Sequence, residues 1–251
     1  MIEGKYTVEK DLRQQLVTYS KWLSRLGFTP GTSGNLSVRL NRECLLVTPT
    51  GMSKRMVRPD DMVIVDLHGR LLAGSRNVTS EIGMHLAVYD RRPDVQAVVH
   101  SHPPIATAFA CSGRSLDETL CQESVMTVGI IPLARYATTG TDEVAASLSP
   151  FLANHDAILL ENHGAVSYGK SLEDAFMKME TLEHIAHVAL VAHQLGSPRP
   201  LRSDQIERLN CAKATYQQNA ISISAPPFSS SNTTGTSSQP TTELLVHQNE
   251  R

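Results

Sequence analysis

The stretch TSEIGMHLAVYDRRPDVQAVVHSHPP, residues 79–104, decides how the chain folds. Thr79 or Ser80 can cap a helix whose first turn holds Glu81, and Pro93 ends it. The apolar run that follows, VQAVVHSH, predicts a strand before the two prolines. A helix that feeds directly into a buried strand is the unit of an α/β domain. Residues i and i+2 of a strand face the same side, so His100 and His102 are expected to point together. Neutral imidazole is a common metal ligand, and two at this spacing make half of a tetrahedral site. An isolated pair is more often one packed ring and one solvated ring.

The flanking segments continue the alternation. Leu12, Leu16, Tyr19, Leu23 and Leu26 recur at helical spacing over 8–26, and Gly27 can close that helix. GTSGNLSVRL (31–40) turns into an extended segment, and CLLVTPTG (44–51) reads as a second strand. MVIVDLHGRLL (62–72) reads as two short strands around a His-Gly turn. Beyond His102, residues 103–113 predict a short helix opened by proline, 124–133 an extended segment, and 141–155 a helix. AILLENHGAVSYG (157–169) reads as two strands flanking Asn162-His163-Gly164. Residues 171–195 predict the longest helix. One α/β domain over 1–224 accounts for this order. From 225 to 251 the chain is rich in Ser, Thr, Pro and Gly. It buries too little apolar surface to offset its chain entropy, so a disordered tail is expected.

Composition removes several classes of function. The 251 residues carry 23 Lys+Arg against 25 Asp+Glu, a net charge of −2, and no basic block. The electrostatic footprint of a nucleic-acid binder is therefore missing. No window approaches the ~20 apolar residues of a membrane span. The N-terminal MIEGKYTVEKDLRQQ is too polar for a signal peptide. Cys44, Cys111, Cys121 and Cys211 form no CxxC pair and read as reduced thiols of a cytoplasmic protein.

Other residues bear on the histidine pair. His163 follows an apolar strand and precedes a glycine that permits a tight turn, which can aim the ring into a cleft. Glu81 suits a helix start through the helix dipole alone, but a carboxylate is also a metal ligand and a base. TSGN (32–35), PTG (49–51) and Thr79-Ser80 offer backbone N–H groups and hydroxyls to an anion, without matching a P-loop. Each is also ordinary loop chemistry. His184, His187, Glu180 and Glu183 read as a solvated helical face. His85, one turn after Glu81, and Arg76, before Thr79, are set aside.

Taken in order, GTSGNLSVR, LLVTPTGM, TSEIGMHLAVYDRRPDVQAVVHSHP, RYATTGT and LLENHGAV resemble the class II aldolase/adducin family, from about Leu12 to about Gln218. The resemblance implies a three-layer α/β/α fold with a mainly antiparallel central sheet, assembled as a homotetramer with active sites between neighbouring subunits. It implies that His100, His102 and His163 are zinc ligands, with Mn2+ as another divalent ion to consider. Glu81 matches a fourth ligand of the empty site that becomes the acid/base in turnover. Gly34 and Asn35, Thr50 and Gly51, and Thr79 and Ser80 match the pairs that bind the substrate and its phosphate.

The implied reaction splits a ketose 1-phosphate, of the fuculose 1-phosphate kind, into dihydroxyacetone phosphate and an aldehyde. A retro-aldol step needs a cation to polarise the ketone, a base, and an anchor for the phosphate. The aldehyde half departs from the family pattern. Cys121 stands where a tyrosine is expected, while Tyr216 matches a second tyrosine that reaches a neighbour's site. Sibling activities are the alternatives: a pentulose-phosphate 4-epimerase, whose branch carries Asp at the position of Glu81, or a dehydratase or decarboxylase. A non-catalytic adducin-like scaffold would lack the histidines.

Overall fold

The computed structural model describes the backbone of residues 2–223 and the side chains of residues 8–216. The expected tail at 225–251 lies outside the described residues. Two compact units divide the chain, Met1–Lys213 and a second beginning at Ala214.

The first unit is built on eight strands: β1 (Asn35–Arg39), β2 (Cys44–Val47), β3 (Val63–Asp66), β4 (Leu71–Ala73), β5 (Ala97–Ser101), β6 (Leu133–Ala134), β7 (Ala157–Leu160) and β8 (Gly164–Gly169). They form one sheet in the order β4-β3-β2-β1-β5-β8-β7-β6. Every pairing is antiparallel except β6 with β7.

Helices cover both faces, so the architecture is the expected three-layer α/β/α. On one face lie α1 (Ile2–Arg25), α3 (Pro104–Cys111) and α6 (Leu172–Leu195). There Leu16, Leu23, Phe109, Phe176 and Met179 pack with Ala97 and Val99 of β5. On the other face α2 (Ile82–Arg91) and α5 (Asp142–Leu148) place Met84, Val88, Val144 and Leu148 against Val98. The alternation along β5 thus divides its side chains between two cores, and apolar burial on both faces locks its register.

Several expected elements differ in detail. Helix α1 begins at Ile2, so it equals α6 at 24 residues each. Helix α2 begins at Ile82 with Glu81 itself at the N-cap. Helix α5 ends at Leu148 instead of running to residue 155, because Pro150 has no N–H to continue the ladder. The segment expected to be extended at 124–133 holds a short helix, α4 (Gln122–Met126), and only the two residues of β6. Hydroxyls of Ser124 and Thr127 donate to the Cys121 and Glu123 carbonyls there. Gly129, at φ 71°, then turns the chain. Helix α7 (Ser203–Ile223) has no counterpart among the expected elements.

Register positions the site. Asn35 pairs with His100 across β1 and β5, and Ser101 pairs with Ala165 across β5 and β8. The β7–β8 turn therefore sits at the end of β5, where the two histidines emerge.

Candidate active site

His100 is the penultimate residue of β5 and fully buried, and His102 lies one residue beyond the end of the strand. The Nδ1 of His100 is 3.0 Å from the Ala165 carbonyl oxygen. A carbonyl only accepts, so Nδ1 carries the proton and Nε2 presents a bare lone pair. His102 Nε2 lies 3.1 Å from that atom. The ring of His163 completes the group, with centroids 4.7 Å from His100 and 5.0 Å from His102.

Two glycines allow this closeness. A β-carbon on Gly164 would meet the Ser101 carbonyl at 2.6 Å and His102 Cδ2 at 2.7 Å. On Gly34, at φ 73°, it would meet Thr29 Cγ2 at 2.6 Å and the His100 carbonyl at 2.9 Å. Asn162 takes φ 57°, which swings His163 inward between β7 and β8.

Glu81 makes no side-chain cap bond to its helix. Its carboxylate turns instead to the histidines. Oε1 lies 3.1 Å from His163 Nε2, and Oε2 lies 3.4 Å from His100 Nε2. Asn35 Nδ2 donates to Oε2 at 2.7 Å, while Oε1 faces His163 and takes no bond from Asn35. Burial works to raise the Glu81 carboxyl, but His100, His163 and the Asn35 bond hold it well below the usual carboxylate range. Burial pushes His100 and His102 down, toward the neutral ligand form.

The donor set fits a divalent cation. Ligand atoms of His100, His102 and His163 all lie within 4.8 Å of one another. Imidazole nitrogens converging with a carboxylate form a charge and lone-pair cluster that a divalent ion would neutralise.

A cleft of about 300 Å³ opens beside the cluster. Gly34, Asn35, Thr50, Gly51, Thr79 and Ser80 all line it, together with Glu81 and His163. The three sequence-distant pairs are thus on one wall system with the carboxylate. A larger cavity of about 430 Å³, bordered by Arg92, Asp156 and Lys213, contains none of the expected site residues.

Lys54 also lines the cleft and was not singled out by the sequence. It is 1% exposed. Its ammonium donates to the Thr32 and Met52 carbonyls at 3.2 and 2.9 Å. Burial lowers its pKa to about 8, against the opposing pull of Glu81. An isolated lysine carries no spacing signal, since most are solvated.

Cys121 is not among the residues lining the cleft. It stands at the N-cap of α4, half-buried against the first core, and burial raises its thiol pKa. Tyr216 belongs to the second unit and is 78% exposed. Arg76 pairs with Asp61 at 3.0 Å. Glu183 accepts from the Ile105 and Ala106 amides at the start of α3, so it is not part of a solvated face.

No helix among the described residues is long and apolar enough to cross a membrane.

Comparison with known proteins identifies the family. The class II aldolase and adducin N-terminal domain matches residues 14–190. The 5-methylthioribulose-1-phosphate/5-deoxyribulose-1-phosphate aldolase of Rhodospirillum rubrum is 34% identical over 216 residues, covering 86% of this chain and 96% of that protein. The 3-oxo-tetronate 4-phosphate decarboxylase of Escherichia coli O6:H1 is 34% identical over 199 residues, covering 78% and 92%. Among solved structures, an L-fuculose 1-phosphate aldolase superposes with a TM-score of 0.76 at 32% identity, covering 80% of this chain and 95% of that one. With a family match over residues 14–190 and relatives 34% identical over more than two thirds of its length, the chain belongs to the class II aldolase and adducin family.

Proposed function

We propose that this chain is a metal-dependent aldehyde-lyase that cleaves a ketose 1-phosphate into dihydroxyacetone phosphate and an aldehyde. One observation supports the reading: Glu81 and His163, which belong to the histidine cluster, line one cleft with the loops at Gly34–Asn35, Thr50–Gly51 and Thr79–Ser80 and with the buried Lys54. The relatives named for ribulose- and fuculose-type 1-phosphates support the substrate class.

His100, His102 and His163 would hold the ion, with Glu81 completing the set when substrate is absent. Zinc suits three neutral imidazoles, and Mn2+ is the other candidate. When bound, the ion supplies Lewis-acid polarisation of the substrate ketone. The chain's residues do the rest. Backbone and hydroxyl donors at Gly34, Asn35, Thr50, Gly51, Thr79 and Ser80 hold the phosphorylated half in register. Lys54 supplies the countercharge to phosphate. Cleavage breaks the bond between the carbon beside the ketone and the neighbouring hydroxyl-bearing carbon. The electron pair stays with the ketone half, the hydroxyl loses its proton, and the ketone-side carbon gains one. Oε1 of Glu81, which faces His163 and takes no bond from Asn35, is the oxygen that moves the proton at that carbon. Tyr216 serves the aldehyde oxygen, acting across a subunit boundary of a homotetramer. Free thiols at Cys44, Cys111 and Cys121 suit a reducing, cytoplasmic setting.

A decarboxylase is the second reading, favoured by the equal identity to the oxo-tetronate phosphate enzyme. A coupled assay for dihydroxyacetone phosphate separates the two. The panel is fuculose, 5-deoxyribulose and methylthioribulose 1-phosphates, run beside carbon dioxide release from a 3-oxo-acid phosphate. Triose phosphate from one of the ketoses is expected. Carbon dioxide release alone would replace the aldolase reading with the decarboxylase one.

A further inference from the structure

Behind Glu81 a chain of buried polar groups runs into the second core. Asn35 Nδ2 donates to Glu81 Oε2 at 2.7 Å. Asn35 Oδ1 lies 2.5 Å from His85 Nε2. His85 Nδ1 lies 2.7 Å from Ser37 Oγ, which lies 2.9 Å from the Tyr89 hydroxyl. His85 and Ser37 are fully buried, and Tyr89 and Asn35 nearly so. An apolar residue at position 85 would leave the buried Asn35 oxygen and Ser37 hydroxyl without this partner.

The direction of every bond in the chain follows from one end. A carboxylate accepts and cannot donate, so the nitrogen of the Asn35 amide must face Glu81 and its oxygen must face His85. That oxygen accepts, so the proton of a neutral His85 sits on Nε2. Nδ1 then accepts from the Ser37 hydroxyl, and Ser37 accepts from Tyr89. Burial keeps His85 neutral, with a pKa lowered to about 4. Buried polar groups that are all satisfied in one direction rigidify one another.

We propose that His85 is a positioning residue that, as the Nε2–H tautomer, locks the Asn35 amide and thereby selects which Glu81 oxygen stays free for proton transfer. With Oε2 engaged by Asn35, Oε1 is the oxygen that no group of this buried chain binds, and it faces His163 at 3.1 Å. Without the His85 donor, the buried Asn35 oxygen is left without a partner and the amide loses one of its two anchors, so its hold on Oε2 loosens. The catalytic consequence rests on the aldolase reading; the tautomer does not.

Two variants and one spectrum test this on the metal-loaded full chain. In His85→Gln the amide nitrogen can stand where Nε2 stood and keep the donor to Asn35. In His85→Asn the shorter amide reaches only the Nδ1 position and leaves Asn35 Oδ1 without a donor. His85→Gln should retain turnover within about threefold, while His85→Asn should lose ~10- to 100-fold at similar melting temperature, as for loss of an outer partner of a site residue. Equal turnover in the two variants, whether both high or both low, overturns the proposal. Histidine-selective 15N NMR of the unsubstituted protein, with the signal of position 85 assigned by its loss in His85→Gln, should show a protonated Nε2 and a bare Nδ1. The opposite tautomer overturns the proposal. The spectrum decides even if no ketose phosphate is turned over, and His85→Asn supplies the assignment if His85→Gln does not fold.

Discussion

Gly164 presses its backbone against the ring of His102, so that a β-carbon there would lie 2.7 Å from Cδ2. The turn that carries His163 and the strand that carries His100 meet at this contact. It is a packing constraint on the geometry of the whole cluster, because the carbonyl of Ser101 blocks the same space at 2.6 Å.

Gly164→Ala should therefore separate His163 from His102. A cost of about 1–3 kcal/mol in stability is expected from overpacking, and a loss of ~10-fold or more in zinc affinity from displaced ligands. Isothermal titration of the metal-free variant checks both the affinity and the one-ion stoichiometry. Unchanged affinity would show that the cluster relaxes without this contact.

Glu81→Gln keeps the shape of the carboxylate and its acceptor for Asn35, but it cannot take up a proton. Turnover should fall by ~10²-fold or more, as for loss of a general base. Metal content should persist, held by three imidazoles, whereas His100→Ala, His102→Ala and His163→Ala should each deplete it. Elemental analysis beside the activity assay distinguishes the two classes. An active Gln variant would remove Glu81 from proton transfer.

The sequence made this convergence legible through a few rigid features. Strand alternation orders the side chains of β5, and Gly164 next to His163 marks a turn with no room for a side chain. The loops at Gly34, Thr50 and Thr79 were legible only in combination, since each is an ordinary turn by itself. His85 was not legible. A histidine one turn after Glu81 reads equally as a cleft wall or a packed ring, and its partners Asn35 and Ser37 come from another strand. Helix α4 was hidden for a local reason. Val125, Thr127 and Val128 favour extended backbone, but the hydroxyls of Ser124 and Thr127 satisfy carbonyls of the turn. Helix α7 is polar along most of its length, so periodicity gave little sign of it.

Tyr216 should matter for one half of the reaction. Its phenol can donate to the oxygen of the departing aldehyde, while exchange of the proton beside the ketone of dihydroxyacetone phosphate needs only Glu81, the ion and the phosphate loops. Tyr216→Phe should slow carbon–carbon cleavage about tenfold or more, as for loss of a general acid, and leave exchange nearly unchanged. Deuterium incorporation followed by NMR, run beside the cleavage assay, reads the two steps separately. Equal losses in both would assign Tyr216 a structural role.

Lys54 should give the site an alkaline limit. Its pKa in the folded chain is lowered from 10.5 to about 8. The phosphate of a bound substrate favours the charged form, so the limit belongs to the free enzyme. Accordingly kcat/KM should fall above about pH 8 while kcat holds, since the former reports groups of the free enzyme. Stability should move the other way. Between the two pKa values the folded chain binds fewer protons than the unfolded chain, so stability rises with pH through that window. Below it both states carry the charge, and above it neither does. Lys54→Met should abolish both trends and raise KM roughly ten- to a hundred-fold, by loss of a charged hydrogen bond to phosphate. Urea unfolding across the window and steady-state kinetics at matched pH values check them. An alkaline limb that survives in the Met variant would assign the limit to another group and leave Lys54 as a tether for the Thr32 and Met52 carbonyls.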